Sequence, residues 1–358
     1  MSAAELWDRL QAEGLVTGER PEPDRSASPW FVRVMLGIAG WIGAIFLLLF
    51  VGAAFAFVMD NGAAALVVGA ACCGAAFLLL RAFEDQDFVE QFGLAISLAG
   101  QVMMIIGLAD FLEPDGAALY LAVAATQIAL ALIVPQFLHR VLTSAGAAIA
   151  LSLAIDQLSL HGFAAPFLCA GLAFVWLEPK RWAVDGQLWR PIGYGLVVAL
   201  LLVETFRLLG GREWFGPSGD APTWIALNGP LIGRGLTALV LLWAAIDLVR
   251  RADIAPQSRE GLAAAAAAIL LGLVSLAMPG LASALLILLL GFAAGTRLLI
   301  ALGVLSLLGF VAHFYYSLHL TLLEKSGLLA VTGLVLLAAC WMLRRGTPAQ
   351  AKEAADAA

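Results

Sequence analysis

Charge is scarce in this sequence, at 13% of 358 residues, while apolar residues make up 62%. Soluble domains run nearer to about 25% charged and about 45–50% apolar, and a water-soluble fold of this length could not hide so much apolar surface. The formal charge is only −6, which gives no reason to expect a nucleic-acid partner. Cysteine is also scarce. Cys72, Cys73, Cys169 and Cys340 all lie inside apolar runs and lack CxxC or Cys/His metal spacing, so they are expected to be small packing residues. The zinc pattern HExxH, the nucleophile turn GxSxG and the phosphate loop GxxxxGK[ST] are all missing. No enzymatic activity, cofactor or metal is therefore expected, and no residue is assigned to any of them. Gly107-Leu-Ala-Asp110 is faintly similar to the Gly-x-Gly-Asp run of intramembrane aspartyl proteases. That chemistry needs two facing carboxylates, whereas Asp110 sits beside Glu113 and Asp115 in what reads as a solvated acidic rim.

What the sequence has instead is long apolar runs, such as Val34 to Val58 and Gly261 to Met278. Runs of about 18 or more such residues read as membrane-spanning helices. A β-barrel would alternate polar and apolar positions, and this chain does not. The expected fold is an all-α, polytopic transmembrane helix bundle of about twelve spans. These fall near 34–58, 62–81, 92–112, 116–138, 141–157, 162–178, 191–209, 231–249, 261–278, 280–294, 297–319 and 326–343, with 280–294 the weakest because it is short and follows Pro279. Residues 1–29 read as a cytoplasmic amphipathic segment (Leu6, Trp7, Leu10 and Val16 apolar) and a linker containing Pro21, Pro23 and Pro29. Residues 30–345 form the membrane domain, and 346–358 a disordered tail. The expected partner of the whole is the lipid bilayer.

Orientation follows from the basic residues. With the N-terminus inside, the outer side receives only Arg207, Arg212, Arg234 and Lys325, and the other sixteen of the 20 basic residues fall on the cytoplasmic side. Both termini are then cytoplasmic. Trp176, Trp182, Trp189 and Trp341 collect at the inner boundary, with Trp214 and Trp224 in a long outer loop, Gly210 to Pro230. The acidic loop Glu84 to Glu90 interrupts the basic inner pattern and reads as solvated.

A few polar groups stand out. His313, Tyr315, Tyr316 and His319 lie on the outer half of the eleventh span, where imidazoles and phenols could relay protons or hold a polar headgroup. Glu204 and Arg207 are spaced i, i+3 on the seventh span, and mutual neutralisation competes with a functional role for an ionisable group at depth. Gln101 and Gln127 fall mid-span on the third and fourth helices, at the depth for an amide bond between helices. Gly229xxxGly233, Gly291xxxGly295 and the run Ala263 to Ala268 suit close helix contact.

Phe88-Val-Glu-Gln-Phe-Gly-Leu-Ala-Ile-Ser-Leu-Ala-Gly-Gln101 and Tyr315-Tyr-Ser-Leu-His-Leu-Thr-Leu-Leu-Glu-Lys-Ser326, with Pro29-Trp30, Gly40-Trp41 and the Trp7 segment, resemble a bacterial family catalogued as domain of unknown function 4401, over about residues 30–345. The resemblance implies a bacterial inner-membrane protein, acting with other small membrane proteins, and brings no activity or site residues. The first functional expectation is a non-enzymatic scaffold or subunit of an envelope complex. The second is a transporter or lipid-handling protein with a polar site near the outer half of the membrane. A membrane enzyme on lipid or polyprenyl substrates, recruiting His313, Tyr316 and Glu324, ranks below both.

Overall fold

The computed structural model describes scattered positions among residues 7–49 and, from Asn61 to Ser317, everything except 84–85, 115, 211–223 and 253–257. The described residues contain no strand. The chain divides into two compact units, Met1–Leu112 and Glu113–Ala358.

In the first unit, α1 (Gly62–Ala82) and α2 (Asp87–Phe111) lie antiparallel. Glycines spaced by seven residues, which fall near one face of a helix, form the seam between them. Gly69 faces Gly100 and Gly62 faces Gly107. A Cβ on Gly100 would lie 2.7 Å from the Gly69 carbonyl oxygen, and one on Gly107 2.7 Å from that of Gly62. Ala76 and Gly93 continue the same register. Close backbone approach of this kind replaces the hydrophobic effect as the source of helix cohesion in lipid. Residues 38–43 are helical; Gly40 is pressed against Phe88 and Gln91, and Trp41 Nε1 donates to Gln91 Oε1 at 3.1 Å. Because α2 begins at Asp87, the second half of the expected acidic loop is helix.

The second unit contains α3 (Ala117–Ile133), α4 (Phe137–Gln157), α5 (Ala164–Trp176), α6 (Pro179–Leu208), α7 (Trp224–Arg251), α8 (Arg259–Ala277), α9 (Leu281–Ala293) and α10 (Arg297–Ser317). The core is built around α5 and α9. Leu168, Cys169, Leu172 and Ala173 on the one, and Ala284, Leu286, Ile287 and Leu290 on the other, are fully buried with Val197 and Leu200 of α6 and Ala244 of α7. The large side chains left outside are apolar, including Leu239, Leu305 and Leu308, as suits a surface solvated by lipid.

Twelve full-length spans do not emerge among the described residues, outside which lie the expected span 326–343 and much of 34–58. Among the described residues six helices are long and apolar enough to cross a membrane. The expected spans 116–138, 162–178 and 280–294 are helices of 17, 13 and 13 residues. At about 1.5 Å per residue, thirteen residues reach only about 20 Å of a hydrocarbon layer about 30 Å thick. The apolar run overstates these helices because turn residues at both ends are apolar too. Protein covers both ends of α5 and the start of α9, where unpaired backbone could not face lipid, whereas the far end of α9 is exposed at Phe292. Both begin just after a glycine in the left-handed region, Gly162 (φ 95°) and Gly280 (φ 82°). The expected outer loop is also shorter than 210–230, since α7 starts at Trp224 and carries Pro230 inside it. Conversely α6 runs 30 residues, broken at Asp185, where φ −134° and ψ 49° leave the helical region.

Candidate functional site

Ending helices inside a bundle leaves carbonyl groups without helical partners, and four arginines of the second unit donate to carbonyls at or near helix ends. Arg140, a buried guanidinium, donates from Nε to Ala131 O near the end of α3 at 3.1 Å and from Nη1 to Gln187 O at 3.1 Å. The C-terminal end of α5 receives Arg181 at Phe174 O, Trp182 Nε1 at Val175 O (2.8 Å) and Arg251 at Leu177 O. Arg234 Nη1 donates to Leu276 O at the end of α8 at 2.7 Å. Cations at helix C-termini are also favoured by the helix dipole. In the first unit Asp110 does the converse: its Oδ2 accepts from Gly62 N at 3.0 Å, while Asn61 Oδ1 accepts from Ala64 N at 3.1 Å, so both cap the start of α1. Asp110 is thus a helix cap and not half of a catalytic pair.

Glu204 is different. It is the one buried carboxylate among the described residues, 7% exposed, and it caps no helix end. Its Oε1 accepts from Ser283 Oγ at 2.6 Å, and Ser283 Oγ in turn accepts from Cys169 Sγ at 3.7 Å. A carboxylate from α6, a hydroxyl from the first turn of α9 and a thiol from α5 therefore form one chain of hydrogen bonds. The start of α9 lacks a side-chain cap, so the Glu204 carboxylate lies where the dipole of that helix favours negative charge. Arg207 and Arg234 act on it electrostatically. The expected Glu204–Arg207 ion pair does not form. Arg207 Nη2 instead meets Asp156 Oδ1 of α4 at 3.4 Å, with His161 Nδ1 3.9 Å from the same oxygen. The reason is geometric, since residues three apart point about 60° apart around a helix; Glu204 faces α9 and Arg207 faces the end of α4. The 161–162 backbone lies directly on Gly229 and Gly233 of α7. That glycine pair therefore serves close contact, as its spacing predicts. Gly295 does not; it stands in the turn after α9 at φ 63° with open space around it, and Gly291 packs on Ile300.

A model of the family described as Domain of unknown function (DUF4401) matches residues 29–346. The chain belongs to the DUF4401 family. No curated protein and no solved structure matches it. The DUF4401 match covers the described helices of both units, including every residue of the Glu204 chain, and its bounds lie within one residue of the resemblance read from the sequence.

The remaining candidates in this DUF4401 chain are not drawn into that site. Gln101 is buried in the first unit and donates to Ser97 Oγ at 3.2 Å within α2. Gln127 of α3 is buried against Gly146 of α4, its Oε1 without a hydrogen-bond partner among the described residues. His313 and Tyr315 are half-buried, and Tyr316 is 80% exposed. The two phenol rings meet edge to face at 5.5 Å. His319 lies outside the described residues, as do Trp214, Trp341 and Cys340. Trp176, Trp182 and Tyr194 do cluster, with ring centroids 4.3 and 5.4 Å apart. Asp156, His161 and Ser283 are not singled out by the sequence, and Cys169 reads there only as a small packing residue. The only signal for them was Asp156 at the end of an apolar run with a histidine five residues on.

Proposed function

We propose that this is a transport-class membrane protein that handles a small polar species at the Glu204 site. One observation carries the reading. Every other buried or half-buried charge described above contacts a helix-end backbone group or an oppositely charged side chain directly, whereas Glu204 receives one hydrogen bond, from the Ser283 hydroxyl, and lies at the start of α9 without bonding to its backbone. Structural economy does not explain it, because burying a carboxylate in a bilayer protein costs several kcal/mol (on the order of 2–4) unless it is compensated. Two short buried helices that begin at left-handed glycines beside the site support the same reading, since interrupted helices at binding sites are a recurrent feature of transporters. That support is by analogy of architecture. In this reading the membrane is the bacterial cytoplasmic membrane, and the distribution of basic residues supports an outward-facing 158–162 turn, with Asp156, His161 and Arg207 beside it.

The test is complementation of a deletion strain by variants present at wild-type levels in the membrane. Glu204→Gln and Ser283→Ala are expected to lose function, the former completely. Full function in Glu204→Gln would contradict a transport role for this site and would return weight to the scaffold reading.

A further inference from the structure

The occupant of the Glu204 site can be argued from its donors. α5, α6 and α9 supply one carboxylate, one hydroxyl and one thiol. Sodium and calcium ask for five or more hard oxygens, and a thiol is a poor partner for either. Among the described residues no group of three His, Cys, Asp or Glu side chains is arranged to hold a metal ion. A proton asks for one acceptor oxygen.

We propose that Glu204 is a proton-binding residue and that Arg207 reads its state, leaving Asp156 for Glu204 when the proton departs. The proposal rests on the transport reading only in that it names what the site takes up. Two devices can neutralise this carboxylate in the core, a proton or a guanidinium, and they are alternatives. Spacing i, i+3 on α6 puts Arg207 within reach of Glu204. Its present contact with Asp156 is long, at 3.4 Å. Asp156 has His161 at 3.9 Å to fall back on, so it is not left alone when the guanidinium is exchanged. The groups that face Glu204 are few: Cys169 from α5, Ser283 from α9, Arg234 from α7, and Arg207 from its own helix, with Asp156 and His161 beyond it. Proton release leaves Glu204 as a carboxylate; Arg207 then swings to it, and the tie between α6 and the last turn of α4 is lost. Asp156 leads into the 158–162 turn, which rests on Gly229 and Gly233 of α7, so protonation of a core residue is linked to the packing at that end of the unit. The proton itself passes between the carboxyl group and water at that end of the unit.

The experiment is infrared difference spectroscopy of the full chain in native-lipid discs, exchanged between acidic and alkaline buffer. The wild type should show a protonated-carboxyl stretch that disappears in alkali, and Glu204→Gln should lack it. Ser283→Ala should keep the band but shift its frequency, because the hydrogen bond to Oε1 is gone; a merely structural serine would not move it. In Arg207→Met the band should persist in alkali, since the compensating cation is missing. A wild-type spectrum without the band, a band retained in Glu204→Gln, or an Arg207→Met spectrum like the wild type would each overturn the proposal. None of these outcomes depends on solute movement. Loss of complementation by Glu204→Gln without a carboxyl band would therefore leave the transport reading standing while removing the proton.

Discussion

Arg140 and Glu204 are both buried charges, and their neighbours give them opposite uses. Arg140 answers two carbonyl oxygens from other segments, so Arg140→Met should orphan both and lower stability by about 2 kcal/mol, read as an earlier thermal transition on size-exclusion chromatography in detergent. Glu204→Gln, which keeps an acceptor for Ser283, should change that transition little. Gln127 is the informative contrast. Its Oε1 is buried and unsatisfied among the described residues, and a buried acceptor without a partner costs about 1–3 kcal/mol. Gln127→Met, close in shape, should therefore raise the transition; a drop would show that the amide holds something. The sequence alone flagged Glu204 because a carboxylate stands out in an apolar run. It could not flag Ser283 or Cys169, which are unremarkable in such runs, nor show that Arg207 turns to Asp156. Those are tertiary facts about which helix faces which.

At the scale of elements, the first unit depends on its glycine seam. Adding side-chain bulk at Gly100 drives a Cβ to 2.7 Å from the Gly69 carbonyl and 2.9 Å from Cys73 Sγ. Gly100→Val should cost about 1–3 kcal/mol through overpacking and separate α1 from α2, while Gly74→Ala, in open space, should be neutral. A disulfide-trapping pair across the seam would measure the separation directly. The sevenfold spacing of Gly93, Gly100 and Gly107 was present in the sequence. It is less conspicuous than the GxxxG pairs, of which one proved to be packing and the other half turn. Helix type was legible throughout because apolar runs in lipid have little choice but helix. Helix length was not. Residues such as Leu158, Leu160 and Phe163 extend the apolar run without extending the helix, and nothing local distinguishes a helix that stops at 13 residues from one that crosses.

For the molecule as a whole, family membership, helical class and an apolar exterior agree with a membrane protein. The second unit combines a rigid apolar core with one carboxylate that the core does not need. If that carboxylate serves transport, water must reach it in some state of the protein. Cys169, fully buried and joined to Glu204 through Ser283, reports on this. The decisive measurement is labelling of Cys169, in a Cys72→Ala, Cys73→Ala and Cys340→Ala background, by a small membrane-impermeant thiol reagent applied separately to each face of sealed vesicles. The account predicts slow but complete labelling from the face bearing the 158–162 turn. Absence of labelling from both faces, over a time in which Ser159→Cys in that turn reacts fully, would contradict it.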